Sequence, residues 1–395
     1  MGTSFKTTPI DFRERVVARL LNGGTLKIPL DRIGVLEYSV IETCNRVELY
    51  LVARDPENIA NSVLPELDRN STGSFYMKTG LDAINHIFAV ASGLDSLVIG
   101  EEQILRQVRE AGRRARVSGD AKSVLSALFD VAYNVGRRAR DLPGVSPTDR
   151  SVSGFALKYG LKQLGRRPKK VLLIGTGETA RLASLELNGA KIYLLSRRHG
   201  SGSRFPKAEM ISRKQLKEVA VECDLIIAAT KRRGYVLKKG DIPDDREKVL
   251  LDLAFPRNID PSMKSCEFLR LYDLDDLAAH SRSLPKSKNI VEIERYIRAE
   301  AERFDRWLIA SRLTPMLGGI YRWAENIREE ETNLALRRLS QLSGRDRRIV
   351  EAMSRRLVSK LMAPHAAFAK QQGGGLSQKD RLRLLESVFG KESGD

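Results

Sequence analysis

Apolar and polar residues alternate along "LEYSVIETCNRVELYLVA" at 36–53, and this period of two predicts two strands around a short polar turn. Residues 81–117 carry helical spacing interrupted by a glycine-containing loop, and residues 121–140 predict another helix. Prolines, serines and a glycine at 141–151 then mark a boundary. The N-terminal section is therefore predicted to mix strands with helices.

Beyond that boundary, apolar runs alternate with helical segments. Residues 154–165 predict a helix, and residues 169–198 have the pattern of strand, glycine turn, helix and strand. "CDLIIAAT" at 223–230 and "VLLDLAFP" at 249–256 are short continuous apolar runs, which are typical of buried parallel strands. This alternation predicts a doubly wound α/β domain.

The C-terminal section changes character again. Residues 289–313 are highly charged with spaced apolar residues, helical patterns continue to about residue 370, and the glycine-rich 370–380 predicts a break before a last short helix. The apolar stripe predicts a dimerisation element, and a helical cap on the chain's own domains is the alternative. The predicted fold is an α/β and α+β multidomain chain: an α+β domain at 1–145, a Rossmann-like domain at 150–288 and an all-α domain at 290–395 that contains the candidate dimerisation element.

Charge adds a candidate partner. The 395 residues carry a formal net charge of +18. Such an excess favours a polyanionic partner such as nucleic acid, and a solvated basic surface is the alternative. The positive residues are clustered at 112–116, 136–140, 165–170, 231–233 and 337–348.

The cysteines and histidines bear on two classes of protein, disulfide-stabilised proteins and metalloproteins. Three cysteines in this length argue against a disulfide framework, and four scattered histidines predict no metal site. No segment approaches the roughly 18 consecutive apolar residues of a membrane helix. The first residues lack an apolar signal-peptide core. We therefore expect a cytoplasmic protein without a membrane partner.

A glycine motif, "GTGETA", follows an apolar strand and opens a helix. It fits the dinucleotide fingerprint with alanine in third place. Gly175 permits the tight turn, Gly177 lets the backbone approach a pyrophosphate, and Ala180 allows close packing of helix on sheet. The predicted cofactor-binding residues here are Gly175, Thr176, Gly177, Glu178, Thr179 and Ala180.

The end of the next strand predicts which dinucleotide binds. Proteins that bind NAD usually carry an acidic residue about 20 residues after the motif. This chain has Ser196 and Arg197 there instead. A hydroxyl and a guanidinium suit a 2′-phosphate, which favours NADPH. The alternative is that the arginine only adds to the surface charge.

One of the three cysteines has polar neighbours. Cys44 lies between Thr43, Asn45 and Arg46, whereas the other two have no comparable surroundings. Arg46 either lowers the pKa of the thiol or binds a carboxylate in a bidentate manner. On these neighbours alone, Cys44 is either a structural thiol or a reactive one.

Three longer motifs resemble those of the glutamyl-tRNA reductase family. "HIFAVASGLDSLVIGEEQILRQVREA" at 86–111 is similar to the family's signature region. "TCNRVELY" is similar to its nucleophile motif and "VLLIGTGETA" to its NADPH loop. "LDLAFPRNIDP", "LYDLDDL" and "VEIERY" onward resemble the end of its nucleotide domain and its long connecting helix. The resemblance covers nearly the whole chain in the family's order.

The resemblance implies roles for individual residues. Cys44 matches the family's nucleophile, and His86 matches a histidine that either orients the substrate or transfers a proton. The matching substrate-binding positions are Thr43, Asn45, Arg46, Ser96, Glu101, Glu102, Gln103 and Gln107.

The implied reaction is the NADPH-dependent reduction of glutamyl-tRNA(Glu) to glutamate-1-semialdehyde through a Cys44 thioester, the first step of five-carbon tetrapyrrole (porphyrin) biosynthesis. The implied partners are glutamyl-tRNA(Glu) and a second copy of the chain. A glutamate-1-semialdehyde aminomutase is a further candidate partner. Two other functions remain open: an NADP-dependent dehydrogenase acting on a small free substrate, and a non-catalytic tRNA-binding regulator.

The chain departs from the family pattern at two places. Arg106 stands where the family usually has a small residue, so we expect a changed pocket rim or a contact to RNA. Phe5 replaces a histidine in a "SHKT"-like turn, and the opening strand is expected to be nearly absent. These departures predict an altered edge of the first domain and leave the catalytic motif unchanged.

Overall fold

The computed structural model describes most of the chain. The residues left out are 23–24, 27–29, 54, 68–73, 143–150, 188, 197–203, 231, 284–289 and 371–395. The chain divides into two compact units, Met1–Ala301 and Glu302–Asp395. Among the described helices, none combines the length and the apolar character needed to span a membrane. Residues 143–150 of the boundary expected at 141–151, and the expected final helix, fall outside the described residues.

A small antiparallel sheet begins the first unit. Its strands are β1 (Gly2–Ser4), β4 (Val35–Glu42) and β5 (Arg46–Ala53), in the order β1-β5-β4, and a separate ribbon pairs β2 (Leu21–Asn22) with β3 (Thr25–Leu26). The predicted two strands and turn are confirmed as β4 and β5. The opening strand, expected to be nearly absent, forms over three residues and pairs Gly2 with Glu48 of β5.

Five helices accompany this sheet. They are α1 (Ile10–Leu20), α2 (Pro56–Leu67), α3 (Gly80–Ala91), α4 (Glu102–Val117) and α5 (Ser123–Ala139). Two glycines allow the last three to pack closely. A Cβ on Gly112 would lie 2.7 Å from Cβ of Phe129, and one on Gly136 would lie 2.5 Å from the carbonyl oxygen of Ala91. These two contacts bring α4 and the end of α3 close against α5.

A six-stranded parallel sheet forms the rest of the first unit. Its strands are β6 (Lys170–Ile174), β7 (Lys191–Leu195), β8 (Ala208–Ile211), β9 (Leu225–Ala228), β10 (Lys248–Asp252) and β11 (Leu269–Asp273). Their spatial order, β11-β10-β9-β6-β7-β8, is that of the Rossmann fold. The helices are α6 (Val152–Leu164), α7 (Glu178–Glu186), α8 (Leu216–Glu222) and α9 (Leu274–Ser283).

Alternate residues of the central strand belong to different cores, as the pleat requires. Val171 and Leu173 of β6 pack with α6 and α9, whereas Leu172 and Ile174 pack with α8. Both faces of the sheet are therefore covered, which explains why the strands are continuous apolar runs in the sequence.

Ion pairs join α1 to the parallel-sheet section. Arg13, wholly buried, donates to the Asp275 carboxylate at 2.9 Å, and the Ile10 amide donates to the same carboxylate at 2.6 Å. Arg257, in the loop after β10, is paired with Glu14 at 3.0 Å. Each section thus contributes both a cation and an anion to their contact.

Two long helices occupy the C-terminal part of the chain. They are α10 (Ile290–Arg338), which begins in the first unit, and α11 (Gly344–Lys370). Within the second unit, Arg328 of α10 donates to Ser354 of α11 at 3.4 Å. Large apolar side chains stay about half exposed on these helices, among them Trp323, Ile327, Leu334, Met353, Leu357 and Leu361. The predicted helical character of this section is confirmed.

Candidate active site

The turn that carries Cys44 is held by its neighbouring threonine. Thr43 Oγ1 accepts hydrogen bonds from the amides of Asn45 and Arg46, each at 3.1 Å. The Thr43 amide in turn donates to the Arg46 carbonyl at 2.9 Å. A threonine side chain that accepts from following amides stabilises a tight turn between strands. The polar residues between β4 and β5 therefore present a half-buried thiol at a fixed place.

The thiol is protonated in this environment. Burial and, after it, the negative charge of Glu101 raise the pKa of Cys44 from 9.0 to about 12, against the lowering effects of Arg13 and Arg46. The sequence left open whether Arg46 lowers this pKa or binds a carboxylate. Its charge does lower the pKa, but burial and Glu101 outweigh it. Nucleophilic attack therefore requires removal of the thiol proton or a change of surroundings when substrate binds.

Arg46 is fully buried and bonded to two acidic residues. Its Nη1 donates to Glu48 Oε1 at 2.9 Å and to Asp95 Oδ2 at 2.7 Å, and its Nη2 donates to the Asp95 carbonyl. The Nε–H group is buried and has no partner among the described residues. Arg46 is thus immobilised with a donor still available for a ligand.

Glu48 lies at the centre of the surrounding hydrogen bonds. Its carboxylate accepts from Tyr50 at 2.5 Å, from Tyr76 and from Arg46, and it is 2.9 Å from His86 Nε2. Burial raises the pKa of Glu48, but Arg46, His86 and Tyr50 outweigh it and hold that pKa well below its ordinary value. Glu48 is therefore ionised and balances the charge of Arg46.

The structure places His86 in contact with Glu48. Its ring also packs edge-to-face against Tyr76, with centroids 5.4 Å apart. Ligand atoms of Glu48, His86 and Asp95 lie within 4.8 Å of one another, a spacing that fits a metal ion. Because Arg46 already bonds both carboxylates, a protein cation balances their charge.

The loop between α3 and α4 forms the second wall of the site. The bond from Arg46 to Asp95 joins this loop to the Cys44 turn. Ser96 Oγ on the loop and Asn45 Oδ1 on the turn are both buried without a partner in the part of the chain that the structure describes. Unpaired buried polar atoms are costly, and they are common where a ligand completes the bonding.

Arg140, which directly follows α5, holds this loop in place. Its guanidinium donates to the carbonyls of Ala91 at 2.8 Å and Gly100 at 3.2 Å, and also to that of Glu101. These bonds bracket the loop at both ends. The Glu101 side chain is buried, and burial raises its pKa to about 7.

The remaining predicted substrate residues are on α4 and are more open. Glu102 and Gln103 are exposed on its first turn, and Gln107 is half-buried. The structure therefore brings Thr43, Asn45, Arg46, Ser96 and Glu101 into the interior of the site and leaves Glu102 and Gln103 at its surface.

The glycine motif forms the predicted turn between β6 and α7. Gly175 has φ +114°, and a Cβ there would lie 2.7 Å from the Ala229 carbonyl oxygen. Gly177 is the N-cap of α7, and a Cβ there would have only the Ala229 carbonyl within 4 Å, at 3.7 Å. Ala180 is buried under the sheet. This arrangement leaves backbone amides at the helix N-terminus open to an anion.

Glu178, Thr176 and Thr179 of this motif are half-buried, and so is Ser196 at the end of β7. Glu178 is paired with Arg181 at 2.6 Å. Arg197 lies outside the described residues, so its predicted role remains a prediction.

Several site residues were missed by sequence reasoning. Glu48 had a signal, because residues two apart on a strand share a face and Arg46 is two positions away. Tyr76, Asp95, Arg13 and Arg140 had none that a single sequence reveals, since their contacts join distant segments.

Family models match almost all of the chain. The N-terminal domain of glutamyl-tRNAGlu reductase matches residues 1–142, shikimate / quinate 5-dehydrogenase matches 160–280, and the dimerisation domain of glutamyl-tRNAGlu reductase matches 292–391. The three matches follow the order of the sections seen in the structure.

Curated relatives match over nearly full length. The chain is 30% identical to a glutamyl-tRNA reductase from Sulfurihydrogenibium sp. (strain YO3AOP1), covering 98% of this chain and 93% of the relative. It is 30% identical to one from Syntrophotalea carbinolica, with the same coverage. The solved structure of glutamyl-tRNA reductase from Methanopyrus kandleri covers 98% of both chains with a TM-score of 0.55 and 22% identity, which supports the shared fold.

Proposed function

The chain belongs to the glutamyl-tRNA reductase family, and on that basis we propose that it reduces glutamyl-tRNA to glutamate-1-semialdehyde through a thioester on Cys44. It is an oxidoreductase of tetrapyrrole biosynthesis with a nucleotide-binding domain and a dimerisation domain. The catalytic roles of individual residues, the choice of NADPH and the cytoplasmic location are parts of the proposal.

One observation supports the site more than any other. Arg46 is buried, fixed by Glu48 and Asp95, and retains a buried Nε–H donor without a partner in the described ranges. It stands two residues from Cys44 in a turn held by Thr43. A fixed guanidinium binds a carboxylate with defined geometry, so it would hold the glutamyl group while its ester carbon lies at the thiol.

His86 acts in this proposal as a positioning residue. Its hydrogen bond to Glu48 helps keep that carboxylate ionised and directed at Arg46. Ser96 Oγ and Asn45 Oδ1, both unpaired, would take up the remaining polar groups of the substrate.

The chemistry explains why a charged tRNA is needed. A free carboxylate resists hydride because it is anionic, whereas the ester to the terminal ribose is electrophilic. The Cys44 sulfur attacks the ester carbon, a C–S bond forms, and the ribose oxygen leaves with a proton. The resulting thioester is a better hydride acceptor than an oxygen ester. After reduction, the C–S bond breaks, the aldehyde leaves and the thiol is restored.

A dinucleotide fits the glycine motif. Gly175 makes a turn that a side chain would block, and Gly177 leaves the N-terminus of α7 open to a pyrophosphate. When bound, NADPH supplies the hydride for the thioester. Ser196 at the end of β7, with Arg197 after it, would accept the 2′-phosphate that distinguishes NADPH from NADH.

The two other functions lack comparable support. The shikimate / quinate dehydrogenase model matches only residues 160–280, and a dehydrogenase acting on a small free substrate would not need the Cys44 turn. A non-catalytic regulator would not need an open nucleotide loop. The half-exposed apolar residues of α10 and α11 are consistent with a homodimer, and the aminomutase partner remains a prediction.

The proposal is tested by replacing the sulfur. We expect Cys44→Ser to abolish NADPH oxidation and semialdehyde formation from glutamyl-tRNA, because a serine could form only an oxygen ester, which would not be reduced. Cys266→Ser, which changes another half-buried thiol, should retain turnover. In the absence of NADPH, the wild type should slowly deacylate the tRNA as water hydrolyses the thioester. Unchanged turnover in Cys44→Ser would refute the thioester.

A further inference from the structure

Four arginines form a continuous stripe on the exposed side of α4. They are Arg106, Arg109, Arg113 and Arg116, and all four are exposed. At 100° per residue their positions lie within an arc of about 80°, and at 1.5 Å per residue the stripe is about 15 Å long. We refer to these four residues as the α4 arginine stripe.

The stripe begins beside the nucleophile. Glu101, the N-cap of α4, is buried close enough to Cys44 for its charge to raise the pKa of the thiol. Arg106 follows five residues later, about 7.5 Å along the helix. Its charge also lowers the pKa of Glu178, after the larger effects of Arg181 and of burial, so Arg106 lies near the nucleotide loop.

Hydrogen bonds hold the N-terminal end of α4 near the Cys44 turn. Arg140 donates to the carbonyls of Gly100 and Glu101, and Arg46 donates to Asp95 on the same loop. The helix therefore starts at the Cys44 turn and extends away from it, with the stripe along its outer side.

The arginines of the stripe retain donors for a ligand. Arg113 is paired with Glu110 and Arg116 with Asp130, at 2.7 and 2.8 Å, and all four side chains of these pairs are about half exposed or more. Exposed ion pairs of this kind contribute little to stability, so the arginines can exchange their acidic partners for another anion.

The other two arginines of the stripe differ from these pairs. Arg109 lies over the Tyr133 ring, 4.9 Å from its centroid. The structure gives no ion pair for Arg106 within the described ranges.

This geometry, taken with the proposed function on which it rests, points to a binding surface for RNA. We infer that the α4 arginine stripe binds consecutive phosphates of the tRNA strand whose 3′-terminal ribose carries the glutamyl ester. The ester carbon must reach Cys44, so the strand has to leave the site along a surface that starts there. The stripe is therefore long enough to contact several consecutive phosphates of one strand. Guanidinium groups bind phosphate in a bidentate manner.

The stripe is tested by charge removal with matched controls. The test variant combines Arg106→Gln, Arg109→Gln and Arg113→Gln, and leaves Arg116 because it also bonds Ser126 on α5. The control variant combines Lys207→Gln, Arg213→Gln and Lys214→Gln, which removes the same charge from exposed positions near β8. Arg114→Gln serves as a single control for Arg113→Gln, because it is exposed on the same helix about 100° away.

Binding of deacylated tRNA(Glu) and glutamyl-tRNA is measured over a salt series. We expect the test variant to bind at least tenfold more weakly at low salt, and the slope of log K against log salt to fall by about two, since each lost contact to a single strand removes about 0.7. The control variants should keep the wild-type slope. An equal loss in the test and control triples, or no loss in either, would overturn the inference.

Acylation of Cys44 separates this inference from the proposed function. A short glutamyl ester of adenosine has no phosphates to reach the stripe, so mass spectrometry should find the same glutamyl adduct on Cys44 in the test variant and the wild type. Failure of the wild type to form the adduct with glutamyl-tRNA would overturn the proposed function. Wild-type tRNA affinity in the test variant would overturn only the stripe.

Discussion

Arg46 and Glu48, two residues apart on β5, are both buried and are joined by an ion pair of 2.9 Å. Their spacing places both side chains on one face of the strand. Glu48 receives further hydrogen bonds from two tyrosines and contacts His86, so the pair is enclosed by partners. The consequence is a guanidinium of fixed position two residues from Cys44.

Glu48→Gln is expected to lower stability strongly. Removing one side of a buried ion pair costs about 3–5 kcal/mol. Asp95, which also bonds Arg46, would still compensate part of the charge, so we expect a loss toward the lower end of that range. Because the pKa of Glu48 is held below its ordinary value, its contribution is present above about pH 4.5 and is lost as the pH falls below that value. Urea denaturation at pH 7 and pH 4 checks both points.

The matched control for that substitution is Glu247→Gln, which changes an exposed partner of Arg270. It should leave the urea midpoint unchanged. If Glu48→Gln were as stable as the wild type at pH 7, the account of Glu48 as the essential partner of Arg46 would be wrong.

Glu101→Gln is expected to raise stability at neutral pH. Burial raises the pKa of Glu101 from 4.5 to about 7, so ionising this group costs the folded state free energy. The wild type therefore loses stability as the pH rises from about 4.5 to about 7, by about 3 kcal/mol at most. The stability of Glu101→Gln should therefore not fall over this pH range, and thermal unfolding at a series of pH values measures this. The control is Glu102→Gln at the exposed neighbouring position, which should lose stability with pH as the wild type does.

Arg13 and Asp275 are expected to affect the thiol in opposite directions. The charge of Arg13 lowers the pKa of Cys44, and Asp275 partly neutralises Arg13 through its 2.9 Å pair. Arg13→Met should therefore slow alkylation of Cys44 by iodoacetamide at pH 8, and Asp275→Asn should accelerate it. Peptide mass spectrometry of Cys44 measures the rate in each variant.

Arg15→Met, two residues along α1 and exposed, is the control for charge loss in that experiment. It should alkylate at the wild-type rate. A purely structural role of the Arg13–Asp275 pair would shift both variants in the same direction, and that result would contradict the electrostatic account.

Gly136→Ala is expected to destabilise the packing of α3, α4 and α5. The added Cβ would lie 2.5 Å from the Ala91 carbonyl oxygen and 2.9 Å from Leu105 Cδ1, so a backbone has to move. Overpacking of this kind costs about 1–3 kcal/mol. Gly319→Ala, on a helix with open space around the glycine, should not destabilise, and calorimetry that found equal unfolding temperatures for both variants would refute the close packing.

Much of the fold was predictable because its signals are local. The period of two around Cys44 predicted β4, β5 and their turn, and the apolar runs predicted β9 and β10 as buried parallel strands. The glycine motif predicted the turn at Gly175, which has a φ of +114°. These features depend on residues that are close in sequence. Their hydrophobic spacing and backbone preferences can therefore be recognised from the sequence alone.

The partners of Arg46 and the pKa of Cys44 were less predictable from the sequence. Arg46 was identified, but the sequence left open whether it activates the thiol or binds a carboxylate. Asp95 occupies part of its guanidinium, and the pKa of Cys44 is raised to about 12 by burial. Neither effect has a local pattern, because each depends on how closely other segments pack around the turn.

The sequence by itself determined the strands, the helices, the glycine turn and the position of the thiol between two strands, since backbone preferences and hydrophobic periodicity act over a few residues. Only the tertiary structure decided that Arg13 pairs with Asp275, 262 positions away, and that Glu48 forms hydrogen bonds with residues of three segments. Desolvation and Coulomb energies depend on distances in space, and these distances exist only once the chain has packed.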